Sequence, residues 1–122
     1  MSDNEKLVII TTVGSENPEK AILPFVLATA AQASDVEVVI IMQGSAVEIA
    51  KNGEAEKIIA RELMPLKELL NNYTGMGGKL HLCSPCLKAR GISKDDLIND
   101  SVIIAAGTVV SEVMSAKSVI TY

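Results

Sequence analysis

Asp35-Val36-Glu37-Val38-Val39-Ile40-Ile41-Met42, followed by Gln43-Gly44-Ser45, is the stretch that decides how this 122-residue chain folds. Its apolar residues run consecutively instead of alternating with polar ones, the pattern of a strand covered on both faces. Four further β-branched or apolar runs recur, at residues 6–13, 79–83, 102–106 and 117–122, with helical or loop material between them. Strands that alternate with helices imply right-handed crossovers and a parallel sheet. The expected fold is therefore α/β: a single domain over residues 1–122 with three α/β/α layers and a mainly parallel five-stranded sheet.

The intervening segments carry helix signals. Asn17 can cap, Pro18 suits the first helical position, and Ile22, Leu23, Val26, Leu27 and Ala30 form one stripe of a helix over 17–33. Pro24 interrupts that helix and predicts a kink or a late start. A short helix follows Gly44-Ser45. Another is expected over about residues 65–72, burying Leu66, Leu69 and Leu70, and Ser93 caps one turn. The last helix is predicted over 108–116, with Val109, Val110, Val113 and Met114 facing inward.

Apolar residues make up 48% of the chain, which suits a sheet buried on both faces and further surface buried between subunits. Only Phe25, Tyr73 and Tyr122 are aromatic, and the formal net charge is −4, so neither nucleic acid nor an anionic membrane is the expected partner. No apolar run reaches the roughly 20 residues of a membrane-spanning helix. The opening Met1-Ser2-Asp3-Asn4-Glu5 has no secretory pattern, which leads to an expected cytoplasmic location. In that reducing compartment two cysteines point to reactive, redox or metal chemistry more than to a structural staple.

Both cysteines fall in Leu80-His81-Leu82-Cys83-Ser84-Pro85-Cys86-Leu87-Lys88-Ala89-Arg90-Gly91. A short strand runs into a helix whose first turn holds Pro85 and whose stop is Gly91. Cys83 is thus expected at the C-terminal end of a strand, where α/β sheets form their sites. Unpaired helix-start N–H groups there favour thiolate over thiol. An unperturbed thiol is only about 3% ionised at neutral pH, so a drop of roughly two units would make Cys83 mostly nucleophile. The bland alternative is a small buried hydrophobe.

Cys86 completes a C-x-x-C spacing that allows a disulfide or one metal, or simply packs beneath the helix. His81 shares the strand face of Cys83, although a lone strand histidine is more often structural. One C-x-x-C and one histidine leave a zinc set short, so no metal is expected. Lys88 and Arg90 either raise the potential near the thiolate or are ordinary charges of a last helical turn. Gly14-Ser15 and Gly107-Thr108 also follow strands but match no nucleotide motif, and no cofactor is expected.

The segment Cys83-Ser84-Pro85-Cys86-Leu87-Lys88-Ala89-Arg90-Gly91-Ile92, with Pro24-Phe25-Val26-Leu27-Ala28 and the run at 36–42, resembles the DsrE/DsrF family of sulfur-relay proteins, including its TusD and YchN types. The resemblance implies a three-layer fold assembled into dimers, trimers or hexamers. It also implies sulfur transfer through a persulfide on Cys83, the cysteine eight residues before Gly91. Cys86 matches a second cysteine found in only some members. The implied activity is a sulfur carrier or sulfurtransferase that takes sulfane sulfur from a donor protein and gives it to an acceptor thiol. Two alternatives stay open: a dithiol redox protein using Cys83 and Cys86, and a non-catalytic oligomeric assembly subunit.

Overall fold

A computed structural model describes residues 5–122, so the polar opening at 1–4, on which the expected location rests in part, lies outside the described residues. Nine regular elements follow in order: β1 (Lys6–Thr11), α1 (Pro18–Ala33), β2 (Glu37–Met42), α2 (Leu66–Gly75), β3 (Leu80–Cys83), α3 (Ser84–Ala89), β4 (Ser101–Ile104), α4 (Ala106–Ser115) and β5 (Ser118–Thr121). Short 3-10 helices occupy Gly44–Ala50, Ala55–Lys57 and Lys94–Asp96.

The five strands form one sheet in the order β4-β3-β2-β1-β5, and every pairing is parallel. The fold is three-layered α/β/α. Ile9, Val38, Ile40, Met42, Leu80 and Leu82 point to one face, where they meet Ile22 and Phe25 of α1, Leu66, Leu70 and Tyr73 of α2, and Leu87 of α3. Val8, Val39, Ile41 and Ile104 point to the other, which α4 covers with Val109 and Val113. Consecutive apolar residues in β2 therefore feed two cores, as parallel strands require.

Helix α1 starts where the sequence says. The Asn17 side chain accepts from the Lys20 N–H at 3.2 Å, and Pro18 occupies the first helical position. Pro24 neither ends this helix nor delays its start. Its missing N–H deprives only the Lys20 carbonyl of a partner, and its ring is buried beside Ala21, Ile22, Phe25 and Ala28. Of the predicted stripe, Ile22 lies in this buried face and Leu27 packs at its edge, whereas Val26 and Ala30 are exposed. Residues 21–28 are apolar almost all round, so spacing alone left the rotation of the helix open.

Helix α2 runs three residues beyond its predicted end and buries Tyr73 with the three expected leucines. Tyr73 donates its hydroxyl to the Lys79 carbonyl at 2.8 Å and meets Phe25 edge to face at 5.9 Å. Helix α4 departs further from expectation. Val109 and Val113 pack on the sheet, but Val110 is 61% exposed and Met114 79% exposed. A single helix spans this whole face, so its outer side meets no second layer. Lys6 fixes it to the start of β1 through Glu112 at 2.8 Å and Ser115 at 2.6 Å.

Candidate functional site

The C-terminal ends of β1, β2 and β3 converge, and the cysteines lie among them. Cys83 is both the last residue of β3 and the residue that caps α3, while Cys86 is the third residue of that helix. This is the predicted strand-to-helix placement, and both side chains are half-buried free thiols packed against the same core. Sulfurs at a cap and at the third helical position share one side of the helix start.

The loop after β2 supplies a donor. The Gly44 N–H points at Cys86 Sγ from 3.2 Å. Gly44 adopts φ of +57°, a left-handed conformation that glycine takes without the steric cost a Cβ brings. Next to it, Ser45 Oγ accepts from the Gly14 N–H at 3.1 Å and donates to Glu16 Oε2 at 2.5 Å. The approach is close: a Cβ on Gly14 would lie 2.5 Å from the Ser45 carbonyl oxygen. Gly14 and Gly44, two of the predicted strand-end positions, are thus joined at the site. Gly107 and Thr108 are exposed in the first turn of α4.

The charge falls differently from expectation. A hydrogen bond from the Cys83 thiol holds Cys86 below the ordinary thiol range, against its own burial, and the Gly44 N–H and the Arg90 charge act in the same direction. Burial pushes the Cys83 thiol up, and its bond to Cys86 adds to this. The Cys86 N–H opposes that rise but falls short of a capping hydrogen bond. The expected lowering of Cys83 is corrected: Cys86 is the thiol whose pKa is lowered, and that of Cys83 is raised. Helix α3 has only six residues, so its dipole is weak, and the neighbouring thiol together with one well-aimed N–H decides which cysteine is lowered.

Arg90 is more than an ordinary last-turn charge. Its Nη1 donates to the Cys86 carbonyl at 3.2 Å and its Nε pairs with Glu48 at 3.2 Å, which fixes a positive charge beside both sulfurs. Lys88 is exposed. His81 Nδ1 lies 3.3 Å from the Ile40 carbonyl oxygen, where its protonated tautomer donates to the main chain of β2, the structural role of a strand histidine. Glu16, Ser45 and Glu48 were not singled out in the sequence. Glu16 and Ser45 flank the strand-end glycines, and that position was the one available signal. The Ser45 hydroxyl holds the Glu16 carboxyl below its usual range.

Among the described residues, no three His, Cys, Asp or Glu side chains converge as metal ligands, and no helix is long and apolar enough to cross a membrane.

The fold is that of the ychN protein from E. coli, whose crystal structure matches with a TM-score of 0.81 and 24% identity over 97% of this chain and 99% of that one. MTH1491 from Methanobacterium thermoautotrophicum matches with a TM-score of 0.74 and 16% identity, over 98% of this chain and all of that one. The uncharacterized protein MK0008 of Methanopyrus kandleri is 30% identical over 125 residues, covering 98% of each chain. MJ0989 of Methanocaldococcus jannaschii, also uncharacterized, is 27% identical over 117 residues, covering 96% of this chain and 99% of its own. The DsrE/DsrF-like family model matches residues 5–122, nearly the whole length, and this chain belongs to that family.

Proposed function

We propose that this protein carries sulfane sulfur as a persulfide on Cys83 and hands it to an acceptor thiol, acting as a sulfur carrier or sulfurtransferase between donor and acceptor proteins. The observation that carries this reading is the half-buried thiol pair at the end of β3, in which Cys86 accepts hydrogen bonds from the Cys83 S–H and the Gly44 N–H. Membership of a sulfur-relay family supports it. As Cys83 attacks the outer sulfur of a donor persulfide, Cys86 accepts its proton and the donor leaves as a thiolate. Cys86 is then the base and Cys83 the carrier. This exchange between thiol and persulfide needs no cofactor.

Incubation with a persulfide donor, followed by intact mass measurement, tests the reading. The wild type gains one sulfur and Cys83→Ser does not. A sulfur-loaded Cys83→Ser, or an unchanged wild type, overturns it.

The contact between the thiols also favours a second reading, a dithiol redox protein in which Cys83 and Cys86 cycle together. That reading requires Cys86→Ser to abolish all activity, whereas a carrier with Cys86→Ser still loads sulfur, more slowly. On either reading the molecule works as a homo-oligomer in the cytoplasm. The exposed apolar residues of α4 and the sheet edges support the assembly.

A further inference from the structure

The placement of Cys86 against the loading sulfur gives a persulfide on Cys83 a second fate. We propose that Cys86 is a resolving thiol, which closes a disulfide with Cys83 and expels the carried sulfur as hydrogen sulfide when no acceptor engages the site. This rests on the persulfide reading above and extends it.

Three observations carry the proposal. Cys83 and Cys86 sit at the cap and the third residue of the same helix start, so their sulfurs share one side of it, the C-x-x-C spacing at which a disulfide closes without a change of fold. Both are half-buried against one apolar cluster, which keeps Cys86 beside Cys83 after loading. The Gly44 N–H, 3.2 Å from Cys86 Sγ, holds that sulfur on the side facing the loop after β2. A sulfur this near acts at an effective concentration no free thiol reaches, since fixed neighbours gain about 10⁵ M or more over solution partners.

The chemistry balances without a further reagent. After loading, the pair is Cys83–S–SH and Cys86–SH, because Cys86 took the Cys83 proton. Cys86 sulfur attacks Cys83 Sγ, the bond from Sγ to the outer sulfur breaks, and hydrosulfide departs with the Cys86 proton as H2S. Two thiol-level sulfurs are oxidised to a disulfide, and the sulfane sulfur is reduced to sulfide. Return to the starting dithiol requires an external dithiol reductant, which becomes a disulfide in turn. The protein then reads as a carrier when an acceptor is docked and as a sulfide source when one is not.

The test loads wild type and Cys86→Ser with cysteine persulfide, removes the donor by rapid desalting, and follows intact mass and free sulfide without added thiol. The wild type loses its extra sulfur at least about tenfold faster than the variant, as a neighbouring thiol requires. It releases one sulfide per loaded chain and ends lighter than the reduced chain by two hydrogens, with Cys83 and Cys86 linked in the peptide map. Cys86→Ser keeps its sulfur until an external thiol is added. Equal persistence of the persulfide in both proteins overturns the resolving role alone. Failure of Cys86→Ser to gain sulfur overturns the persulfide reading and this proposal with it.

Discussion

Gly44 and Cys86 are forty-two residues apart in sequence, yet the N–H of one meets the sulfur of the other at 3.2 Å. The contact joins the loop after β2 to the helix after β3, and it depends on a residue at φ of +57°. Few side chains can replace it, because a left-handed residue with a Cβ costs about 1 kcal/mol or more. In addition, a Cβ here would come to 3.3 Å from the Thr12 carbonyl oxygen. Gly44→Ala is expected to lower stability by about 1–2 kcal/mol and to slow alkylation of Cys86 at neutral pH. Chemical denaturation and site-resolved alkylation check the two effects, and unchanged Cys86 reactivity would remove the N–H from the account.

The thiols should titrate as a pair. Replacing Cys83 with Ala takes away the hydrogen bond that most lowers Cys86, so the Cys86 pKa rises in Cys83→Ala. In Cys86→Ser, Cys83 no longer faces a thiolate and its pKa falls, although burial still holds it up. Alkylation rates followed across the alkaline range measure both shifts, up for Cys86 and down for Cys83. These opposite movements would show that Cys83 keeps its proton and donates it to Cys86 in the native pair, and their absence would remove the hydrogen bond between the thiols from the account.

Much of this was legible in the sequence. Consecutive apolar residues in 35–42 gave a strand buried on both faces, and strand-helix alternation gave a parallel sheet. Pro85 between the cysteines and Gly91 beyond them marked a helix start at the site. What escaped depends on the third dimension. An apolar surface all round α1 leaves its rotation to packing, and the outward side of α4 reflects a layer that the single chain does not supply. Which thiol has the lower pKa depends on the contact between the two cysteines and then on a backbone N–H from a distant loop, which has no sequence signature. Glu16, Ser45 and Glu48 reach the site only through the same loop geometry.

Arg90 acts on both thiols through charge. Arg90→Gln is expected to raise both pKa values and to slow thiol reaction at neutral pH, while Arg90→Lys keeps part of the effect. The pair with Glu48 is partly exposed, so added salt should narrow the difference between wild type and Arg90→Gln. A salt-independent difference would point instead to the bond from Arg90 to the Cys86 carbonyl.

The outer surface of α4 tests assembly. Val110 and Met114 are more exposed than apolar residues of a finished surface usually are, and Val102 and Val119 flank the same sheet face, aligned with His81 and Val8. The wild type is expected to run larger than one chain by light scattering. Val110→Glu combined with Met114→Glu should reduce it to a monomer with unchanged circular dichroism. A monomeric wild type would sink the homo-oligomer.

Gly78 and Tyr73 give a prediction about the core that bears on no catalytic group. A Cβ on Gly78 would lie 2.5 Å from the Tyr73 ring, which is fully buried and held between Phe25 and the Lys79 carbonyl. The ring cannot retreat without breaking the hydroxyl bond or opening the contact with Phe25. Overpacking of this kind costs about 1–3 kcal/mol, so Gly78→Ala should lower the melting temperature by several degrees. Gly75, three residues earlier at the end of α2, has open space where its Cβ would go. Gly75→Ala should leave stability unchanged or raise it by up to about 1 kcal/mol, because alanine suits a helix better than glycine. Thermal melts of the two variants therefore move in different directions from one added methyl group, and the difference measures how tightly the Tyr73 ring is gripped.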